Sequence, residues 1–239
     1  MSATQPVAVI TGASQGIGAG LVQAFRSRDY RVVATSRSIE PSDDPAIVTV
    51  RGDVADPATA DRVFGEALKQ FGRVDTLVNN AGMFMAKPFT AYSTDDFAVY
   101  MATNVAGFFH MTRRAIEIMK EQEHGHVVTV TTSLVDQPFS SVPSALASLT
   151  KGGLNAATKS LAIEYARSGI RVNAVSPGII KTPMHQVEAH AFLATLHPLG
   201  RMGEASEVVE AVMYLESAGF VTGEILHVDG GQAAGHHAA

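Results

Sequence analysis

Val7-Ala8-Val9-Ile10-Thr11-Gly12-Ala13-Ser14-Gln15-Gly16-Ile17-Gly18 opens on a β-branched apolar run and closes on three spaced glycines. The run reads as a strand, and Leu21, Val22 and Phe25 beyond the glycines fall at helical spacing. A strand that turns through Gly-x-x-x-Gly-x-Gly into a helix is the setting in which such glycines hold a pyrophosphate. Gly12 permits a tight turn, Gly16 a close backbone approach to phosphate, and Gly18 close packing of helix on strand, while the helix N-terminus offers free N–H groups. A turn without a ligand is the plainer alternative. The position directly after the first strand favours the nucleotide.

Six more strand-like runs follow: Arg31–Ala34, Ile47–Val50, Thr76–Val78, Val127–Val130, Ile170–Val175 and Glu224–Val228. Several are too continuously apolar to have a wet face, as expected of a parallel sheet covered on both sides. Helical periods lie between them, such as Val63, Phe64, Ala67, Leu68 and Phe71, with Asp56-Pro57 as cap and first helical residue. This alternation predicts an α/β fold: a doubly wound parallel sheet of about seven strands with helices on both faces. Ligands are then expected beyond the carboxyl ends of the strands. No linker, repeat or compositional break interrupts residues 1–239, which read as one domain. The stretch from Gly231 to Ala239 has no apolar period, so a flexible tail is expected over 232–239.

Composition narrows the function classes. The 239 residues are 46% hydrophobic and 17% charged, enough apolar content for a full core. Eighteen basic against twenty-three acidic residues give a net charge of −5, with no long Lys/Arg run, which disfavours nucleic acid as a partner. Without cysteine there is neither a disulfide framework nor thiol chemistry. Met1-Ser2-Ala3-Thr4-Gln5-Pro6 lacks a basic segment followed by a long apolar stretch, and no later run approaches the roughly 20 apolar residues of a membrane span. A soluble, cytoplasmic protein is expected.

The glycine loop, then Asp53-Val54, Asn79-Asn80-Ala81-Gly82, Asn104, Pro177-Gly178 with Thr182, Thr222-Gly223-Glu224 and Val228-Asp229-Gly230-Gly231 occur in the order of the short-chain dehydrogenase/reductase family, which the chain resembles from about Val7 to Gly231. The resemblance implies a single Rossmann-type domain, a nicotinamide dinucleotide, a small carbonyl or alcohol substrate, and a homotetramer or homodimer. It also implies that Gly12, Ser14, Gln15, Gly16, Ile17, Gly18, Asp53, Val54, Asn80, Ala81, Gly82, Lys151, Pro177, Gly178, Ile180 and Thr182 contact the cofactor. A lone Asp after a strand, such as Asp53, otherwise reads as a turn or cap residue.

Cofactor choice has a physical basis. A carboxylate at the end of the second strand holds the ribose 2′-hydroxyl of NAD and repels the 2′-phosphate of NADP. Here that strand ends Ala34-Thr35-Ser36-Arg37, with a hydroxyl and a guanidinium suited to phosphate, so NADP(H) is favoured over NAD(H).

The family's acid/base group is a strand-end Ser, a Tyr and a Lys four residues after that Tyr, supported by a helical Asn. Lys151 matches the Lys and Asn104 the Asn, yet the residue four before Lys151 is Ala147, and Ser140 to Leu146 supply no tyrosine. Ser133 gives the better spacing for the Ser slot; Thr132 takes it if the following loop carries an insertion. Three accounts are open: an oxidoreductase with an altered proton-delivery route, a redox-inactive cofactor-binding protein, and an engineered Tyr-to-Ala variant of an active reductase. General acid catalysis contributes about 10²–10⁴-fold and reactant positioning contributes separately, so loss of the phenol need not abolish turnover.

Residues 183–200 correspond to the family's substrate lid, with Met184 to Leu196 reading as a short helix with an apolar face. His185, His190 and His197 in this segment are alternative proton donors, or plain solvated loop residues. No metal site is expected, because no His pair is backed by a carboxylate at suitable spacing. Met83, Phe84, Met85 and Phe139, with the lid, are candidates to line an apolar substrate pocket.

Overall fold

The computed structural model describes residues 5–235. Seven parallel strands form one sheet in the order β3-β2-β1-β4-β5-β6-β9, where β1 is Val7–Thr11, β2 Arg31–Ser36, β3 Ile47–Arg51, β4 Thr76–Asn79, β5 Gly125–Val130, β6 Ile170–Pro177 and β9 Ile225–Val228. Each of the seven runs singled out in the sequence is a strand of this sheet.

The continuous apolar character of these strands has a simple cause. Val7 and Val9 of β1, Leu77 of β4 and Val127 of β5 point to one face, into a core with α2 (Pro57–Phe71), α4 (Gly107–Gln122) and α5 (Ala145–Tyr165). Their neighbours Ala8, Ile10, Val78 and Val128 point to the other, against α1 (Gly16–Ser27) and α7 (Ala205–Ser217). Alternation therefore persists, with both faces dry. Phe64 and Phe25, fully buried on opposite faces, each contribute about 1.5–3 kcal/mol by leaving water.

Helix boundaries follow local chemistry. The Asp56 side chain accepts from the Ala58 N–H at 3.0 Å, Pro57 occupies the first turn, and Gly72 ends α2 at a φ of +77°. Ser93 and Asp96 cap each other at the start of α3 (Thr94–Tyr100). Between α3 and α4 the chain makes a π-helical turn, Met101–Ala106, that carries Asn104. Such turns insert an extra residue into a helix and re-aim side chains.

The sheet order reverses between β1 and β4, because the chain runs outward through β2 and β3 before returning. The carboxyl ends of β1 and β4 thus frame the crevice where doubly wound folds place ligands. Over this edge lies residues 183–200, with a turn at Val187–Ala189 and helix α6 (His190–Thr195). Its ends are clasped by a two-strand pair, β7 (Ile180–Lys181) with β8 (Gly203–Glu204), which the sequence did not announce.

The expected flexible tail requires correction over its first part. Gln232–Ala234 form a 3-10 turn, and Gln232 is buried. Its side-chain carbonyl accepts from Ser133 at 2.6 Å and its amide donates to the Leu196 carbonyl. Positions 236–239 lie outside the described residues.

Candidate functional site

Thr11 fixes the crevice. Its hydroxyl accepts from the Asn80 and Ala81 N–H groups at 3.0 and 2.9 Å, and the Asn80 amide donates to the carbonyls of Thr11 and Gly12. The glycine turn is thereby tied to the Asn-Asn-Ala-Gly segment. Gly12 has a φ of +64°, and a Cβ there would sit 2.9 Å from the Ala81 backbone. A Cβ on Gly18 would come within 2.1 Å of the Gly12 carbonyl oxygen, so only glycine lets α1 approach β1 this closely.

A cleft of about 270 Å³ runs along this edge, lined by Gly12, Ser14, Gln15, Gly16 and Ile17, by Ser36, Arg37 and Ser38 after β2, by Asp53 and Val54 after β3, by Asn80, Ala81 and Gly82, and by Thr182 to Met184. Its donors fit a dinucleotide: the α1 N-terminus and the glycine turn would hold a pyrophosphate, and Ser14, Ser36, Arg37 and Ser38 gather hydroxyl and guanidinium donors where β2 ends. Among the described residues the one carboxylate lining that cleft is Asp53, whose Oδ1 accepts from the Ala55 N–H at 3.0 Å. The residues present thus fit a phosphorylated nicotinamide dinucleotide.

A second cavity, of about 400 Å³, shares Ile17, Asn80, Gly82, Thr182 and Met184 with the cleft and extends under the lid. Pro177, Gly178 and Ile180 also border it. Lys151 reaches it from α5 and donates from Nζ to the Thr131 carbonyl at 2.9 Å. Burial pushes the Lys151 ammonium down to about 8.

Thr132, just after β5, borders this cavity with Thr131 beside it, and its hydroxyl accepts from the Leu134 N–H at 3.4 Å. Ser133 begins the next turn; it is fully buried and its hydroxyl points away to Gln232, so the placement expected for Ser133 is corrected. Spacing to Lys151 alone does not decide which hydroxyl faces the cavity, because the turn Ser133–Val135 between β5 and α5 sets the facing of each residue.

Asn104, buried in the π-helical turn, accepts from the Met83 N–H at 2.9 Å and donates to Thr150 and to the Met83 carbonyl. It positions the loop beside Lys151 rather than presenting a free amide. Ala147 is wholly buried in a cluster with Tyr100 and Leu146, against Met83, Phe84, Met85 and Tyr92. Tyr100 and Tyr92 both donate to the Met85 carbonyl, and burial raises the Tyr100 phenol far above its ordinary value. Neither phenol lines the cavity. Of the apolar candidates Phe84 does, whereas Met83 and Met85 pack under it and Phe139 joins Val142, Ile179 and Leu196 behind it.

The three histidines separate. His185 lines the cavity, where burial, then the proximity of His190, lowers its pKa. His190 Nε2 faces the His185 carbonyl. His197 is buried and held at both nitrogens, with Nε2 accepting from the Ile179 N–H at 3.0 Å and Nδ1 directed at the Leu193 carbonyl, so it is not a proton donor to substrate. Thr131, Thr150 and Gln232 are site-supporting residues that sequence reasoning missed; only Thr150, adjacent to Lys151, carried a signal.

The comparisons with known proteins agree with this architecture. A family model described as enoyl-(acyl carrier protein) reductase matches residues 12–233. The 3-oxoacyl-[acyl-carrier-protein] reductase FabG of Escherichia coli is 33% identical over 236 residues, covering 94% of this chain and 96% of that protein. The 3beta-hydroxysteroid dehydrogenase 1 of Eggerthella lenta is 35% identical over 241 residues, covering 93% and 92%. The solved structure of ElxO with NADP bound superposes with a TM-score of 0.90 at 31% identity, covering 97% of this chain and 100% of that one. Fold, cleft and matched length lead to one conclusion: the chain belongs to the short-chain dehydrogenase/reductase family of oxidoreductases.

Proposed function

We propose that this protein is an NADP(H)-dependent oxidoreductase that interconverts a carbonyl compound and its alcohol, with Ala147 at the family's Tyr position and proton delivery from Lys151. Continuity of the dinucleotide cleft with the Lys151 cavity, through Asn80, Gly82 and Thr182, is the observation that carries this function. Solved relatives with NADP or NADPH bound support the cofactor choice, together with Ser36 and Arg37 at the end of β2.

When bound, the reduced nicotinamide supplies a hydride to the carbonyl carbon. Thr132 holds the carbonyl oxygen by its hydroxyl, and Lys151, an ammonium at neutral pH with an easily lost proton, supplies that oxygen's proton directly or through Thr132. Asn104 keeps the Met83 loop, and with it the cavity wall, in register. Apolar walls exclude water around the developing charge and strengthen these contacts. The protein is further proposed to be a cytoplasmic homotetramer or homodimer; half-exposed Phe109 on α4 and largely exposed Ile163 on α5 are apolar surface of the kind that a second copy covers. Among the described residues no helix is long and apolar enough to cross a membrane.

NADPH oxidation by the native protein and by Ala147→Tyr, side by side on ketones, aldehydes and quinones, tests the proposal. Turnover by the native protein is expected. Turnover by Ala147→Tyr alone would instead make the native chain a redox-inactive cofactor-binding protein or an engineered variant.

A further inference from the structure

We propose that the substrate is a compact, uncharged, predominantly apolar ketone or the corresponding alcohol, and not a thioester borne on coenzyme A or on a phosphopantetheine arm. This rests on the carbonyl-reducing function proposed above and on three observations about the cavity and its rim.

First, the wall is predominantly apolar. Phe84, Leu134, Val142, Ile179, Phe192 and Leu193 line the cavity, and the polar side chains of the lining, Asn80, Thr131, Thr132, Ser141, Lys151, Thr182 and His185, are outnumbered by apolar ones. Such a surface favours a substrate that buries mostly apolar area, since each polar group placed against apolar wall loses its water without a partner.

Second, among the described residues the Lys and Arg side chains that flank the lid are all paired. Residues 183–200 contain neither Lys nor Arg, and their one carboxylate is Glu188. The cations that flank this segment are each neutralised: Lys181 by Glu204 at 2.5 Å, and Arg201 by Glu207 at 2.6 Å. Across the mouth, Lys87 beside Ala86 is held by Asp96 at 2.8 Å. The phosphates of coenzyme A, or an acidic carrier protein, need a positive field to be drawn to an entrance, and paired charges supply little of it.

Third, the cavity is small. Its volume of about 400 Å³ includes the Asn80, Gly82 and Thr182 wall that it shares with the dinucleotide cleft, so a bound nicotinamide takes part of it. The remainder suits a compact ring system better than a long extended arm.

The test uses the full chain loaded with cofactor. With NADPH, bicyclic ketones (1-decalone, 1-tetralone) are compared with acetoacetyl-coenzyme A and with the N-acetylcysteamine ester of acetoacetate, which keeps the reacting carbonyl and lacks the phosphates. The bicyclic ketones are expected to exceed acetoacetyl-coenzyme A at least tenfold in kcat/KM, with little dependence on salt, and the two acetoacetyl esters to differ by less than threefold. A tenfold advantage of the coenzyme A ester over its phosphate-free counterpart, fading as salt is raised, overturns the proposal. Calorimetric binding of decalol and of coenzyme A to the NADP⁺-loaded protein supplies a readout without turnover. Decalol binding without turnover of any ketone leaves the ligand class standing and removes the reductase function; absence of both binding and turnover across the bicyclic compounds overturns the ligand class.

Discussion

Ser133 donates its hydroxyl proton to the side-chain carbonyl of Gln232, ninety-nine residues later, at 2.6 Å and out of contact with water. The bond joins the end of β5 to the turn after β9, and the Gln232 amide continues to the Leu196 carbonyl at the base of the lid. The two adjacent hydroxyls, Thr132 and Ser133, therefore have separate duties.

Substitution should divide them. Thr132→Val is expected to lower kcat about 10²–10³-fold, the usual loss when one oxyanion-directed donor is removed, and to cost no more stability than one turn cap, about 1 kcal/mol. Ser133→Ala is expected to leave kcat within a few-fold and to destabilise the protein by about 1–3 kcal/mol, because a buried acceptor on Gln232 loses its donor. Steady-state kinetics alongside thermal melts check both; equal kinetic losses from the two variants would contradict the assignment.

Lys151 sets a pH dependence with a definite sign. Burial lowers its ammonium to about 8, and the ammonium is the acid form that reduction consumes. Ketone reduction should fall as pH rises through about 8, and alcohol oxidation should rise over the same interval. Lys151→Arg, which keeps the charge but holds its proton far more tightly, is expected to bind NADPH while losing most of kcat and the inflection. A pH–rate profile of the native protein that stays flat between 7 and 9 would exclude Lys151 as the donor.

Cofactor preference should turn on Arg37. Arg37→Glu is expected to weaken NADPH binding roughly tenfold to a hundredfold, the range of a charge-assisted bond, and to leave NADH nearly unaffected. Fluorescence titration with each cofactor measures the ratio; equal losses would place the 2′-phosphate elsewhere.

The edge of the sheet opposite the crevice has its own chemistry. Glu216 near the end of α7 accepts from Tyr30 and Thr76 at 2.8 and 2.7 Å, and His126 Nδ1 lies 2.6 Å from it, while Asn173 donates to His126 Nε2. Burial holds His126 below its ordinary value, and the Asn173 donor leaves no room for a second ring proton. The unfolded chain binds that proton more readily, so stability from this group is full above about pH 6.5 and declines as the pH falls below it. Denaturant melts from pH 7.5 to 5 should show this loss, and His126→Gln should flatten it. Glu216→Ala is expected to cost about 3–5 kcal/mol, on the order of 10 °C in Tm.

Fold and site were unequally legible in the sequence. Strands β1, β4 and β5 announced themselves because a sheet dry on both faces has no polar alternation to hide them. The Asp56-Pro57 start of α2 and the glycine turn were legible too, since both are set by neighbours in sequence. Thr132 against Ser133 was not, because one position along a strand end reverses the facing of a side chain and the loop that settles it has no pattern. His197 looked like a lid residue, yet the Ile179 N–H and the Leu193 carbonyl happen to meet its two nitrogens. Gln232 carried no signal at all: its partners are remote, and only the closed fold brings them together.

The loop over Ala147 bears on how this protein can change over generations. Two tyrosine hydroxyls meet at the Met85 carbonyl, and Met83, Phe84 and Met85 settle around the alanine methyl. A phenol arriving at position 147 must displace these side chains, at an overpacking cost of about 1–3 kcal/mol. Its acquisition would draw on the reserve of stability of the fold, a loss that a smaller side chain at position 84 or 85 would offset.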